Sequence, residues 1–226
     1  MFLSARSTQA EYLDSQALGA EEVKKSFREL ERINRLFLHT DPFQRLIVPW
    51  LGAERSQALT ILDLGAGDGS LGRALELWSA RQGFTWKVTS LDLNPHALRL
   101  NERRRNVRAS VLALPFPDDC FDLVMASQMT HHLSDGDVAQ HFREAWRVTR
   151  DALFVNDLHR NGALLAMVWL AGYLTRLSPS MRSDGLLSVR RGWRLAEWRE
   201  LARKAGIPKA DVSLYFGSRI FLRARK

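Results

Sequence analysis

Ile61-Leu62-Asp63-Leu64-Gly65-Ala66-Gly67-Asp68-Gly69 is the stretch on which the fold of this chain turns. The apolar run from Leu59 to Leu64 ends in glycines, the pattern of a strand buried on both faces of a parallel sheet. Glycine after such a strand admits positive φ and lets a ligand approach the backbone with no Cβ in the way. On this reading Gly65 makes the turn, Gly67 faces the ligand and Gly69 admits the next helix closely. That helix is expected over 69–81, with Leu71, Leu75, Leu77 and Trp78 as its apolar side, and its N-terminus offers free N–H groups to a carboxylate.

Glycine triplets also bind dinucleotides, so the surrounding charge has to decide. The spacing here is GxGxG rather than the GxGxxG of dinucleotide sites. Asp63 stands two residues before the first glycine, and Asp68 lies inside the loop. Two carboxylates repel a pyrophosphate but suit a ligand that carries ammonium and sulfonium charge. An NAD-linked site is therefore disfavoured. Asp92 closes the next strand, Val88-Thr-Ser-Leu-Asp92, where an acidic group accepts both ribose hydroxyls. Capping the helix that follows is its blander role.

Outward from this centre, strands and helices alternate. Trp86–Leu93, Val107–Leu112, Phe121–Ala126 and Ala152–Val155 read as strands; Pro95–Arg105 and Gly136–Val148 read as helices. Such alternation argues for a parallel sheet covered on both faces. Before it, residues 8–38 read as helices and Phe43–Leu51 as a short segment after the Asp41-Pro42 break. After it come an apolar helix over Leu164–Leu177, a polar loop over Ser178–Ser188 and a helix over Leu195–Ala205. Two strand-like runs about Gly217-Ser218 close the chain as a hairpin. A single domain is expected: a helical cap over 1–55, a cofactor-binding core over 59–158, and a lid helix, C-terminal helix and hairpin over 159–226.

The 226 residues suit one α/β domain, and two would be cramped. No run of 18 apolar residues occurs and the N-terminus lacks a signal-like segment, so a cytoplasmic protein is expected, with the lone Cys120 fitting a reducing compartment. The net charge of +8 raises the question of a nucleic-acid partner. Its basic clusters, Arg103-Arg104-Arg105, Arg190-Arg191 and Arg223–Lys226, are short, scattered and not interleaved with aromatics. A small-molecule acceptor is preferred, and a nucleic acid stays open as the second reading. The apolar helix Leu164–Leu177 hints at lipophilic substrates and transient membrane contact; oligomeric state is open.

Three segments together, Asp63–Gly69, Leu91-Asp-Leu-Asn-Pro95 and Leu114-Pro-Phe-Pro-Asp-Asp-Cys-Phe-Asp-Leu-Val124, resemble the successive signatures of class I, Rossmann-like methyltransferases. The resemblance covers about residues 59–160. It implies S-adenosylmethionine as cofactor and a three-layer α/β/α fold with a mainly parallel seven-stranded sheet, order 3-2-1-4-5-7-6, whose last strand is antiparallel. It also implies that Asp63, Gly65, Ala66, Gly67, Asp68, Gly69, Asp92 and Leu93 hold the cofactor. The segment before Pro115, at Ser110 and Val111, would line the adenine, with Ser110 where many relatives carry aspartate. Ser127 and Gln128 would lie near the methionine portion. More loosely, Glu11–Phe37, Asn156–Arg160, Ser183-Asp-Gly185 and Ser188-Val-Arg190 resemble bacterial methyltransferases of small polyketide or phenolic products, which points to the oxygen of a lipophilic or phenolic metabolite. A protein that binds the cofactor without turnover is the remaining alternative.

Methyl transfer from a sulfonium is an in-line displacement in which the enzyme aligns the partners and excludes water. A hydroxyl nucleophile gains from a base. His159 is the preferred base because it follows the fifth strand at the carboxyl edge of the sheet, with Asp157 to orient it; His132 is the rival. No metal is expected, since no His, Cys or Asp group shows ligand spacing. Met167, Trp169 and Tyr173, with Trp193 and the N-terminal helices, are expected to wall an apolar pocket.

Overall fold

The computed structural model describes residues 3–15, 18–102 and 105–226, so Arg103 and Arg104 of the first basic cluster lie outside the described residues. Seven strands form one sheet: β1 (Ala58–Leu64), β2 (Thr85–Asp92), β3 (Asn106–Arg108), β4 (Phe121–Ser127), β5 (Thr149–Leu158), β6 (Asp211–Tyr215) and β7 (Arg219–Arg225). Their order is β3-β2-β1-β4-β5-β7-β6. β1 to β5 pair in parallel, and β7 runs antiparallel to both β5 and β6. This is the three-layer class I methyltransferase architecture that the motifs imply.

The helices are α1 (Ala20–Leu36), α2 (Asp41–Leu51), α3 (Ser70–Arg81), α4 (Pro95–Leu100), α5 (Asp135–Val148), α6 (Gly162–Leu174), α7 (Pro179–Arg191) and α8 (Leu195–Lys204). The apolar strands are explained by the two layers they serve. In β4, Leu123 and Met125 face a core built with Phe43, Ile47, Leu71 and Leu75 of α2 and α3. Val124 and Ala126 face the other core, with Phe142 of α5 and Trp198 of α8. Successive side chains point to opposite faces, so a strand covered on both sides is apolar throughout.

Three expectations are corrected. Ser178–Ser188 is helical, not a loop: α7 begins at Pro179, and Ser178 Oγ accepts the Met181 N–H. Tertiary contacts supply what weak local propensity lacks. Glu29 of α1 accepts the Ser178 N–H at 2.8 Å, and the buried Asp184 carboxylate accepts the N–H groups of Tyr12 and Leu13 at 2.8 and 3.0 Å. The helix expected over Pro95–Arg105 stops at Leu100, because Asn101 turns inward to donate to Ser90 Oγ and Asn106 Oδ1. Within 8–38, a 3-10 turn at Tyr12–Asp14 precedes the single helix α1.

Trp198 is fully buried and meets Phe142 edge-on at 5.8 Å, whereas Trp169 is 54% exposed. In urea denaturation, Trp198→Ala is expected to lower stability by about 3–5 kcal/mol. Trp169→Ala is expected to stay within about 0.5 kcal/mol of wild type.

Candidate active site

The glycine loop is stitched to the end of β2. Ala66 N–H donates to the Leu91 carbonyl at 3.0 Å and Gly67 N–H to Asp92 Oδ2 at 2.8 Å. Gly65 and Gly67 have φ of 66° and 57°. A Cβ on Gly65 would lie 2.2 Å from Met129 Cγ, and one on Gly67 would lie 2.6 Å from the Phe27 ring of α1. The loop is thus gripped from two sides, and α1 covers it.

A cavity opens beside this loop at the carboxyl edge of the sheet, where open α/β folds bind ligands. Asp63, Gly65, Ala66, Gly67 and Asp68 line it, as do Ser127 and Gln128. Gly69 caps α3 just beyond the wall with φ 68°. Asp92 stands behind the loop, its two oxygens accepting from Gly67 and Asn94. Leu93 beside it is exposed. Ser110 and Val111 lie in the loop after β3, outside this cavity, with Ser110 Oγ accepting the Leu112 N–H.

Asp63 tests the fit of a cationic ligand. Its carboxyl is buried, and Oδ2 has no hydrogen-bond partner among the described residues. Burial, with Asp92 and Asp68 adding to it, pushes its pKa up to about 8. Such a group lacks a positive partner, which the ammonium of an amino-acid moiety would supply.

Across the cavity is a second charged cluster. Asp157, at the end of β5, is fully buried; its Oδ1 lies 2.6 Å from His131 Nδ1 and its Oδ2 accepts the His131 N–H at 2.7 Å. Burial acts upward on the Asp157 carboxyl, but His131 and the Leu158 N–H outweigh it and hold the pKa below the usual range. His132 Nδ1 lies 2.6 Å from Asp14 Oδ1. Burial there too is outweighed, chiefly by His132, and Asp14 falls to about 2. Arg191 of α7 fixes the histidine turn by donating to the His131 carbonyl at 3.0 Å and the His132 carbonyl at 2.7 Å.

With each Nδ1 held by a carboxylate, both Nε2 atoms face Glu11, at 3.6 Å for His131 and 3.9 Å for His132. Glu11 is buried, and its Oε1 has no hydrogen-bond partner among the described residues. Burial raises its pKa to about 7, against the opposing charge of His132. Lone pairs that face one another need a shared proton or a cation between them. The three donors all lie within 4.8 Å of one another, so the fold assembles a ligand-like set from segments whose spacing in sequence gave no sign of one.

The expected base, His159, stands elsewhere. It lies outside the cavity wall, and its Nδ1 is 3.1 Å from the Gly217 carbonyl and 2.9 Å from Asn161 Nδ2. Asp157 does orient a histidine, but that residue is His131. The apolar wall also differs from expectation. It comes from Phe27, Leu30 and Ile33 of α1 with Leu177 and Met181, while Met167, Trp169 and Tyr173 of α6 are exposed and Trp193 lies outside it. His39, which the sequence did not flag, joins the wall with Nε2 2.7 Å from Ser127 Oγ.

Residues 62–152 match the sequence profile of a family described as "Methyltransferase domain". The chain has the fold of class I S-adenosylmethionine-dependent methyltransferases, and its residues 62–152 are similar to a methyltransferase domain. It is 33% identical over 118 residues to the ubiquinone/menaquinone biosynthesis C-methyltransferase UbiE of Escherichia coli, an alignment covering 48% of this chain and 44% of that protein. The chain thus spans less than half the length of the curated relatives it matches. Solved structures of similar fold include the plantazolicin methyltransferase BamL in complex with a triazolic analogue and SAH (TM-score 0.70, 12% identity, 91% of each chain). An O-methyltransferase family 2 protein from Planctomyces limnophilus in complex with apigenin is another (TM-score 0.62, 19% identity, 94% of this chain and 63% of that one). A SAM-dependent methyltransferase from Aquifex aeolicus matches over 92% of this chain and 98% of its own (TM-score 0.61, 18% identity).

The Asp63 carboxyl gives the methyltransferase domain a pH signature. Folding raises its pKa from the ordinary range to about 8, so the ligand-free domain retains a proton there that the unfolded chain loses, and the stability held below about pH 4 falls as pH rises toward 8. An ammonium beside it reverses this by favouring the charged form. S-adenosylhomocysteine binding at pH 7 should therefore release close to one proton, seen as a dependence of the calorimetric enthalpy on buffer ionisation heat. Asp63→Asn, or 5′-methylthioadenosine in place of the ligand, should abolish that release. Unchanged release with Asp63→Asn would exclude this assignment.

Proposed function

We propose that the protein methylates a small lipophilic acceptor, at a phenolic or similarly acidic oxygen, with S-adenosylmethionine as donor. The observation that carries this reading is the Asp157–His131 pair, whose free Nε2 faces Glu11 at the wall of the cavity opposite Asp63. S-adenosylmethionine, when bound, would supply an electrophilic methyl group, with the carbon–sulfur pair left on sulfur as the acceptor oxygen takes the carbon.

The remaining work falls to side chains. Asp63 would take the ammonium of the amino-acid end, and Asp92, whose oxygens already accept from Gly67 and Asn94, would use its remaining lone pairs on the ribose hydroxyls. His131 takes the acceptor's proton on Nε2, while Asp157 fixes its tautomer and stabilises the imidazolium that results. Glu11 is poised near neutral pH to share that proton. Phe27, Leu30 and Ile33 seat an apolar body and exclude water.

Among the described residues, the cations of the basic clusters are largely engaged within the chain. Arg191 is buried, Arg223 pairs with Asp211, Arg225 with Asp151 and Lys226 with Asp119. A second reading is favoured by the convergence of Glu11, His131 and His132: a divalent cation held there would polarise the acceptor oxygen in place of a base.

The test is a screen of alkylphenols and hydroxyquinones with methyl-labelled donor, with NMR to locate the new methyl on oxygen or ring carbon. His131→Ala is expected to lower kcat by about 10²–10⁴-fold with donor affinity retained, and His159→Ala to leave the rate within about twofold of wild type. Full activity of His131→Ala would overturn the base assignment. Loss of activity to a chelator, restored by zinc, would replace it with the cation reading.

A further inference from the structure

Helix α6 is apolar on every side. From Gly162 to Leu174 it carries no charged residue. One side is covered, with Leu164, Ala171 and Gly172 buried, yet Met167, Trp169, Leu170, Tyr173 and Leu174 all stand half or more exposed. A helix apolar all round is ordinarily covered all round. The uncovered side runs about 20 Å along the surface.

Two further exposed apolar tips adjoin it. Asn161, the N-cap of α6, donates to the Gly217 carbonyl at 3.1 Å, which sets the hairpin tip with Phe216 (83% exposed) beside the start of the helix. At the other end Arg32 of α1 donates to the Thr175 carbonyl at 3.1 Å, and Arg219 of the hairpin donates to the Phe37 carbonyl at 2.7 Å. The turn that bears Leu36 and Leu38 (63% exposed) therefore lies between helix and hairpin. Three segments thus place one apolar surface at the mouth of the site. On their inner side, Phe27 and Ile33 of α1 and Leu177 after α6 line the cavity.

The rim of this surface is basic. Lys25, Arg28, Arg32 and Arg35 are exposed and follow one another at spacings of three and four along α1, a single helix face. Arg35 is partly neutralised by Glu31, and Arg176 adds a further exposed cation immediately after α6. Arg182 lies over the Tyr173 ring, 4.5 Å from its centroid. The combination of apolar face and cationic border is that of an interfacial helix on an anionic bilayer. A second copy of the chain fits less well, because twofold pairing would set this basic border against itself.

We infer that α6, the Leu36–Leu38 turn and the Phe216 tip form a docking surface for an anionic lipid membrane, which turns the mouth of the site toward the bilayer. Attachment is peripheral, since among the described residues no helix is long and apolar enough to cross a membrane. Lipophilic molecules dissolved in the bilayer would then reach the cavity without passing through water.

Co-sedimentation of the full chain with vesicles tests this without any turnover, so it stands or falls separately from the acceptor assignment. Vesicles of phosphatidylglycerol and phosphatidylcholine in equal parts are expected to bind at least about tenfold more protein than pure phosphatidylcholine, with most of the gain lost at high salt. Leu170→Glu with Leu174→Glu should remove binding while circular dichroism and the melting temperature stay at wild-type values. Lys25→Glu with Arg28→Glu should remove the preference for anionic lipid. No binding to either vesicle would overturn the proposal. So would a dimer in light scattering that the Leu170→Glu, Leu174→Glu pair dissociates, which would assign the face to a second copy.

Discussion

Gly67 donates its N–H to Asp92 Oδ2, and with the bond from Ala66 N–H to the Leu91 carbonyl it ties the glycine loop to the end of β2 at the place where the candidate site is built. The loop it ties down has its glycines in the left-handed region, and Asp63 beside it lines the cavity with Oδ2 lacking a hydrogen-bond partner among the described residues. The rest of the site follows from that constraint. A loop so tightly held leaves room for α1 to close over it, and α1 brings Phe27, Leu30 and Ile33 to the wall. The charge at this end follows as well: a buried carboxyl with one oxygen unpartnered among the described residues would favour a ligand with a cationic end over one with a pyrophosphate.

Opposite this acceptor-rich end stands a second one built by different means. Asp157 and Asp14 each hold one histidine by Nδ1, and Arg191 ties down the turn between them through two carbonyls. The result is a pair of imidazoles whose free nitrogens cannot relax away from Glu11. Preorganisation of this kind costs stability, because carboxyl groups are held away from water with incomplete pairing. It would suit the proton uptake that the proposed reaction needs.

The core of the fold was legible because buried parallel strands are apolar on both faces and end in residues that bind. Leu59–Leu64 and Phe121–Ala126 read as strands for this reason, and the Gly217-Ser218 pair marked the hairpin. The α7 helix was hidden. Its serines and Gly185 have weak helical propensity, and it is held by Glu29 and by contacts from Asp184 to residues far away in sequence. The site divides in the same way. Asp63 and the glycines are contiguous and Asp92 closes the next strand, so their meeting at one place was visible in spacing. Glu11, Phe27 and His39 come from the N-terminal segment and reach the cavity only through the fold. His131 and His132 are neighbours of identical type, and only the buried Asp157 distinguishes the first as the histidine held from within the sheet. His159, just past the end of β5 and two residues from the same aspartate, meets the Gly217 carbonyl of the hairpin instead.

The most direct measurement is calorimetric titration of the protein with S-adenosylmethionine, S-adenosylhomocysteine and NAD, repeated on Asp92→Ala. The expected result is saturable one-to-one binding of both adenosyl ligands, none of NAD, and loss of binding in the variant with its fold intact. Binding of NAD in preference, or adenosyl ligands bound equally well by Asp92→Ala, would contradict the assignment of this loop.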